Sequence, residues 1–352
     1  MRLKHDFHTP SRRTALKLLA LGAAAAMATE SSTASAEPPL VRLKTKSIFR
    51  MWIKGNHRHI VSNDIPGHLV GKFPDRGCPN TIQAQNFHFR MELHPKHNGQ
   101  LMPLAQRDGA PIIFGVALDG APFDPGTAMY WHENRHWAIS AMTSRRGDLG
   151  FDNSHAHVQP YGPYHYHGVP TELIYHLHGW GKVCLIGYAA DGFPIYGPWG
   201  YTNAKSAESD IKMLRASYRL KQGNRPNPPD GPGGQYDGTY TSDFEYVPGL
   251  GDLDKANGRD GVTPEYSAGT YYYVITESFP FVPRFFVGTP DRSFYKGPPK
   301  GRFGPPGGGP CRPGGPGFGG FGRGPGGGGP GGFWGGPGGF GGGSFDPPGN
   351  GQ

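Results

Sequence analysis

Eight of the sixteen histidines fall into four pairs with one residue between: His57 and His59, His155 and His157, His165 and His167, His176 and His178. In a strand alternate side chains share a face, so each pair presents two imidazoles side by side. Imidazole suits Zn, Cu, Fe and Ni, so the chemistry that such pairs predict is transition-metal binding. The second and third pairs flank the segment VQPYGP, whose two prolines and one glycine suit a five-residue hairpin loop, Gln159 to Pro163. If Val158 pairs with Tyr164, His157 faces His165, His155 faces His167, and all four imidazoles lie on one face. Opposed Cβ atoms in such ladders are about 4.5–5.5 Å apart, compatible with chelating an ion that takes nitrogen at about 2.0–2.1 Å. The same residues also allow a metal-free reading, with the histidines hydrogen-bonded or facing water. A bulge would turn one pair to the other face.

Other residues compete for a chemical role. Asp191 opens the turn DGFPIYG, where a carboxylate forms the turn, supplies a further ligand or imidazole partner, or acts as a base. HENRH, from His132 to His136, matches the pattern in which two histidines one helical turn apart bind zinc and Glu133 activates water. It makes a zinc peptidase one alternative function, and a metal-free interaction or wall-associated module is the other. Asp252, Asp254, Asn257 and Asp260 alternate oxygen donors without the spacing of a calcium loop, which favours a structured turn. The cysteines, Cys78, Cys184 and Cys311, have no paired spacing, which argues against a thiolate site. Cys78 and Cys184 could bridge, or Cys184 could be a buried free thiol.

The run HVQPYGPYHYHGVP from His157 to Pro170, followed by IGYAADGFPIYGPWGY from Ile186 to Tyr201, resembles the YHYH domain, named for residues Tyr164 to His167. GVALDGAPFDP (Gly115 to Pro125), GFDNSHAHV (Gly150 to Val158) and DLDKANGR (Asp252 to Arg259) are similar too, so the resemblance spans about Pro79 to Gly288. It implies an exported bacterial protein of a family without established activity. It favours His157, His165 and His167 as metal ligands, with His155 as an optional fourth and Asp191 as the candidate acidic residue. His176 and His178 fall in a stretch that varies, which implies exposed positions or positions behind the ligands. Where relatives carry a second YHYH-like run, this chain offers the phenols of Tyr271, Tyr272 and Tyr273.

The elements that must position these residues read as strands. Between Leu40 and Thr289 the apolar pattern comes in short aromatic and β-branched pieces such as SIFRMWI, PIIFGVAL, KVCLIGYAA and RFFVG, bounded by Gly, Pro, Asn and Asp. Two stretches, near Thr127 to Thr143 and near Lys205 to Leu220, could be helical. The expected fold is mainly β: a single β-rich domain over 37–295, sandwich-like or an irregular sheet, with long loops.

The ends differ from this core. Arg2, Lys4 and SRRTALK precede an alanine-rich apolar stretch, Leu18 to Ala28, and Ala34-Ser35-Ala36 offers a cleavage signal. Residues 1–36 read as an export signal of the twin-arginine type through Arg12 and Arg13, and predict a periplasmic or secreted protein with no integral membrane segment after cleavage. Residues 296–352 are Gly/Pro-rich and read as a disordered tail. The net charge is +8; residues 1–36 hold five basic and two acidic residues, so the mature chain carries 8 − 3 = +5. With no basic cluster in the domain, nucleic acid is excluded as a partner. No motif names a small-molecule or protein partner, and whether the site is catalytic stays open. The cofactor expected is a transition metal ion, Cu or Zn.

Overall fold

The computed structural model describes residues 39–296 apart from 105–111, 128, 133 and 144–148. The expected export signal and the Gly/Pro-rich tail after Lys296 lie outside the described residues. The fold is mainly β, with short strands in several sheets and one short α-helix, Thr171–His176, among the described residues. Its largest sheet has eight strands in the order Ala156–Val158, Tyr164–Tyr166, Pro122–Phe123, Gly115–Ala117, Leu185–Ala189, Pro194–Tyr196, Thr270–Val274 and Gly258–Gly261. Most neighbours are antiparallel; Tyr166 pairs in parallel with Phe123, and Ile195 with Tyr273. This is the irregular sheet with long loops that short runs between Gly and Pro dictate.

Apolar residues on this sheet, among them Val116, Phe123, Val158, Tyr164, Tyr166, Ile186 and Ile195, pack into the main core. Glycine is required where strands crowd. A Cβ at Gly187 would lie 2.4 Å from the Val116 carbonyl, and one at Gly115 2.6 Å from that of Tyr188. Larger residues there would push neighbouring strands apart.

Neither expected helix forms. Tyr130–Trp131 and Asn134–Ala138 are paired strands, and Trp131, Trp137, Ile139 and Tyr240 build a small core of their own. Ile211–Met213 pairs with Trp199–Tyr201, and Tyr218–Leu220 with Phe244–Tyr246. In both stretches strand partners distant in sequence outweigh local helical preference. The Cys78–Cys184 bridge does not form either. Cys184 is buried and free beside Gly179 and Ile174, its thiol pKa pushed up by burial to about 11, whereas Cys78 lies against the Val158 carbonyl.

Candidate metal centre

The histidine hairpin closes in the register that its loop dictates. Ala156 pairs with Tyr166, His157 with His165 and Val158 with Tyr164. Across the loop, Gln159 N donates to the Pro163 carbonyl at 2.9 Å, with Gly162 at φ 93°, a conformation that suits glycine. Strand alternation then splits the side chains by face.

On one face His157, His165 and His167 are all buried and each offers a nitrogen, these atoms lying within 4.8 Å of one another. Ring centroids are 4.7 Å apart for His157 and His165, 4.9 Å for His157 and His167, and 4.7 Å for His165 and His167. Phe151 packs against His157 and His167 at 4.7 and 5.2 Å. His157 Nδ1 lies 3.0 Å from the Leu149 carbonyl, so it carries the proton and leaves Nε2 as the free donor. Burial lowers the pKa of all three rings, that of His165 to about 3, and their mutual repulsion adds to the effect at His165 and His167. Neutral imidazole is the form that binds a metal.

His165 Nε2 and His167 Nε2 are 2.8 Å apart, so without a cation one ring donates to the other. The ring that accepts must then carry its proton on Nδ1, yet neither Nδ1 makes a hydrogen bond of good geometry; only the Pro163 backbone offers His165 any compensation. Such a group costs about 1–3 kcal/mol. A cation would use both lone pairs at once. Tetrahedral geometry with bonds of about 2.0–2.1 Å sets the nitrogens about 3.3 Å apart, so the pair would open by about half an ångström. The donor set therefore fits a borderline-soft ion such as Zn or Cu.

A buried carboxylate stands beside the triad. Gln159 Nε2 lies 3.4 Å from His165 Nε2 and donates to Asp124 Oδ2 at 3.2 Å, which also receives the Lys296 ammonium. Burial alone would raise the pKa of Asp124, but Lys296 outweighs it and the pKa is lowered. Arg284, partly buried, adds positive charge near His167, and desolvation brings its own pKa down to about 10.

The opposite face carries tyrosines held by aspartates. Tyr164 Oη donates to Asp152 Oδ2 at 2.8 Å and Tyr166 Oη to Asp119 Oδ2 at 2.5 Å. His68 Nε2 completes the second group, 3.0 Å from Asp119 Oδ2 and 2.7 Å from Tyr166 Oη. Asp64 Oδ2 accepts from Tyr164 N at 2.9 Å, and Asn80 Nδ2 donates to the Val158 carbonyl at 2.9 Å. These contacts pin the hairpin from four separate parts of the chain, Asp64 and His68, Asn80, Asp119, and Asp152.

Of the residues singled out in the sequence, the structure brings together His157, His165 and His167. His155 stays next to His167 through the backbone, His167 N donating to its carbonyl at 2.8 Å, but its left-handed φ of 53° sends the ring elsewhere. Its Nδ1 lies 2.9 Å from the Val169 carbonyl. Asp191 is placed with Tyr273, whose Oη donates to it at 2.6 Å, and with the amide of Gly288 at 3.0 Å. His176 and His178 are exposed. Of HENRH, Glu133 lies outside the described residues; His132 sits at φ 46° and His136 in the strand Asn134–Ala138, so helical i, i+4 spacing does not apply to the two histidines. Asp252 pairs with Lys212, and Asp254 accepts from the amides of Ala256 and Gly258, a structured turn. Asp119, Asp124 and Asp152 had no role assigned from sequence; their only signal was their place inside GVALDGAPFDP and GFDNSHAHV.

No curated protein and no solved structure matches the chain. A family model described as YHYH protein matches residues 88–288. That stretch is more than half of the chain and contains the whole hairpin, with its histidines on one face and its tyrosines on the other, so the protein belongs to the YHYH family.

Proposed function

We propose that this is an exported metal-binding protein that holds one transition-metal ion, Cu or Zn, on His157, His165 and His167. The observation that carries the reading is the convergence of three buried, neutral imidazoles within 4.8 Å. Export rests on the leader, Met1 to Ala36, with its paired Arg12 and Arg13. A three-imidazole site with an open position activates water or polarises a carbonyl when a metal is bound. This chain's residues would hold the ion, keep His157 oriented through the Leu149 carbonyl, and shield it with Phe151.

The test is metal analysis of the mature chain, purified without a histidine tag after native export. One equivalent of Cu or Zn that is lost in His165→Ala supports the reading. Metal-free protein that also fails to take up either ion rejects it and leaves a metal-free interaction module. Metal retained in His165→Ala but lost in His132→Ala would instead favour the HENRH segment. The export half fails separately if Arg12→Lys with Arg13→Lys reaches the periplasm at normal levels.

A further inference from the structure

Away from the triad, the antiparallel sheet of Phe49–Lys54, His57–Ser62 and Phe87–Glu92 carries a second group of imidazoles. Register sets His59 between Trp52 and Arg90, His57 between Lys54 and Glu92, and Val61 between Arg50 and His88, so these side chains share one face. On that face His59 Nδ1 and His88 Nε2 are 3.1 Å apart. The Trp52 indole lies over both, 5.2 Å from His59 with the planes 10° apart and 5.7 Å from His88 at 29°. His57 is 6.5 Å from His59 between ring centroids, and its Nε2 is 3.2 Å from Glu92 Oε1. Arg90, the cation directly opposite His59, is drawn to Asp291 by bonds of 2.9 and 2.8 Å from Nε and Nη2.

We propose that His59 and His88 chelate a second, solvent-accessible transition-metal ion, Cu²⁺ foremost, with His57 and Glu92 beside it as the next donors. Two nitrogens at this spacing, each about 2.05 Å from a shared ion, subtend about 98°, close to the cis angle of tetragonal Cu²⁺. Cu²⁺ also heads the affinity order for nitrogen ligands. Burial, then the neighbouring His88 and His57, lower the pKa of His59, so its lone pair is free at neutral pH. Moving one ring proton to the other nitrogen of the same imidazole turns the present N–H···N contact into two lone pairs facing one ion. The stacked indole restricts both rings before the ion arrives, which reduces the ordering cost of binding. His57 and His59 precede the residues matched by the family model, whereas His88 and Glu92 fall at its start.

The experiment is a Cu²⁺ titration of the full, untagged chain followed by tryptophan fluorescence, with the metal content counted after desalting. Trp52 is one of six tryptophans, so Trp52→Phe defines its share of the quenching. The expected result is a quenching component that is lost in Trp52→Phe and shifts to at least tenfold higher Cu²⁺ in His59→Gln and His88→Gln. In His165→Ala, which removes the buried triad, that component stays while one equivalent of bound metal disappears. Glutamine keeps a hydrogen-bonding group on this exposed face, and equal melting temperatures in chelator would establish that the variants fold. Quenching unchanged in both glutamine variants overturns the proposal. Quenching lost only in His165→Ala also overturns it, because the signal would then come from the buried site.

Discussion

His155 and Val169 are joined by a hydrogen bond of 2.9 Å from imidazole Nδ1 to carbonyl, and this bond removes the fourth hairpin histidine from the metal face. His157→Ala, His165→Ala and His167→Ala should each weaken Cu or Zn binding by more than about 100-fold, beyond the 10–100-fold typical of groups behind the ligands. His155→Ala should cost less than about tenfold. Competition against a chelator of known affinity measures all four, and equal effects would break the distinction.

Tyr166 and Tyr164 support the site from the other face. Tyr166→Phe removes the 2.5 Å bond to Asp119, and Tyr164→Phe the 2.8 Å bond to Asp152, in each case leaving a buried carboxylate oxygen one donor short. Each change should lower stability by about 1–3 kcal/mol in denaturant unfolding and leave metal affinity within about threefold, well under the tenfold that 1.4 kcal/mol represents. A large loss of metal with no loss of stability would place the hydroxyls in contact with the ion instead.

Lys296 is the resident cation on Asp124. Lys296→Met should destabilise the protein in chelator, since it leaves the carboxylate buried beside the triad without its partner. The same change removes repulsion toward an incoming cation, so metal affinity should rise by about tenfold, equivalent to about 1.4 kcal/mol. Calorimetric titration reads the affinity, and a fall in affinity would show that Lys296 supports binding.

Asp191 gives a pH signature unconnected with the triad. Burial raises its pKa to about 6 from an ordinary 3.8, against the pull of Tyr273 and Gly288. The folded state then holds the proton more tightly than the unfolded chain. The linked stability is fully present below about pH 3.8 and lost as pH rises through about 6, a difference on the order of 3 kcal/mol. Asp191→Asn lacks this titration. Relative to that variant the wild type should therefore lose stability between about pH 4 and pH 6, and parallel profiles in urea melts would remove the assignment.

The hairpin was legible in the sequence because period-two alternation and a Pro/Gly loop fix both register and face. His157 opposite His165, and Tyr164 and Tyr166 turned away from them, follow from those two facts alone. What broke the pattern was a single backbone angle at His155, which no spacing encodes. The Asp124–Lys296 pair joins residues 172 apart, and His68 reaches Tyr166 from 98 away, so neither was visible in local pattern. The helical expectations failed for a related reason. Trp137 and Ile139 find Tyr240, and Tyr218–Leu220 finds Phe244–Tyr246, partners that only the tertiary fold supplies.

The histidine hairpin also ends the largest sheet, since Ala156–Val158 is its outermost strand. Such a strand would normally present a row of open backbone groups to any other extended chain. Here Ala156 N reaches Asp152 Oδ1 and its carbonyl accepts from Asp152 N, while the Val158 carbonyl accepts from Asn80 Nδ2. Side chains and a turn thus occupy the hydrogen bonds that an added strand would need. The margin that carries the imidazoles is closed to edge-to-edge polymerisation, and Asn80→Ala, which strips one of those caps, is the change that would open it to self-association.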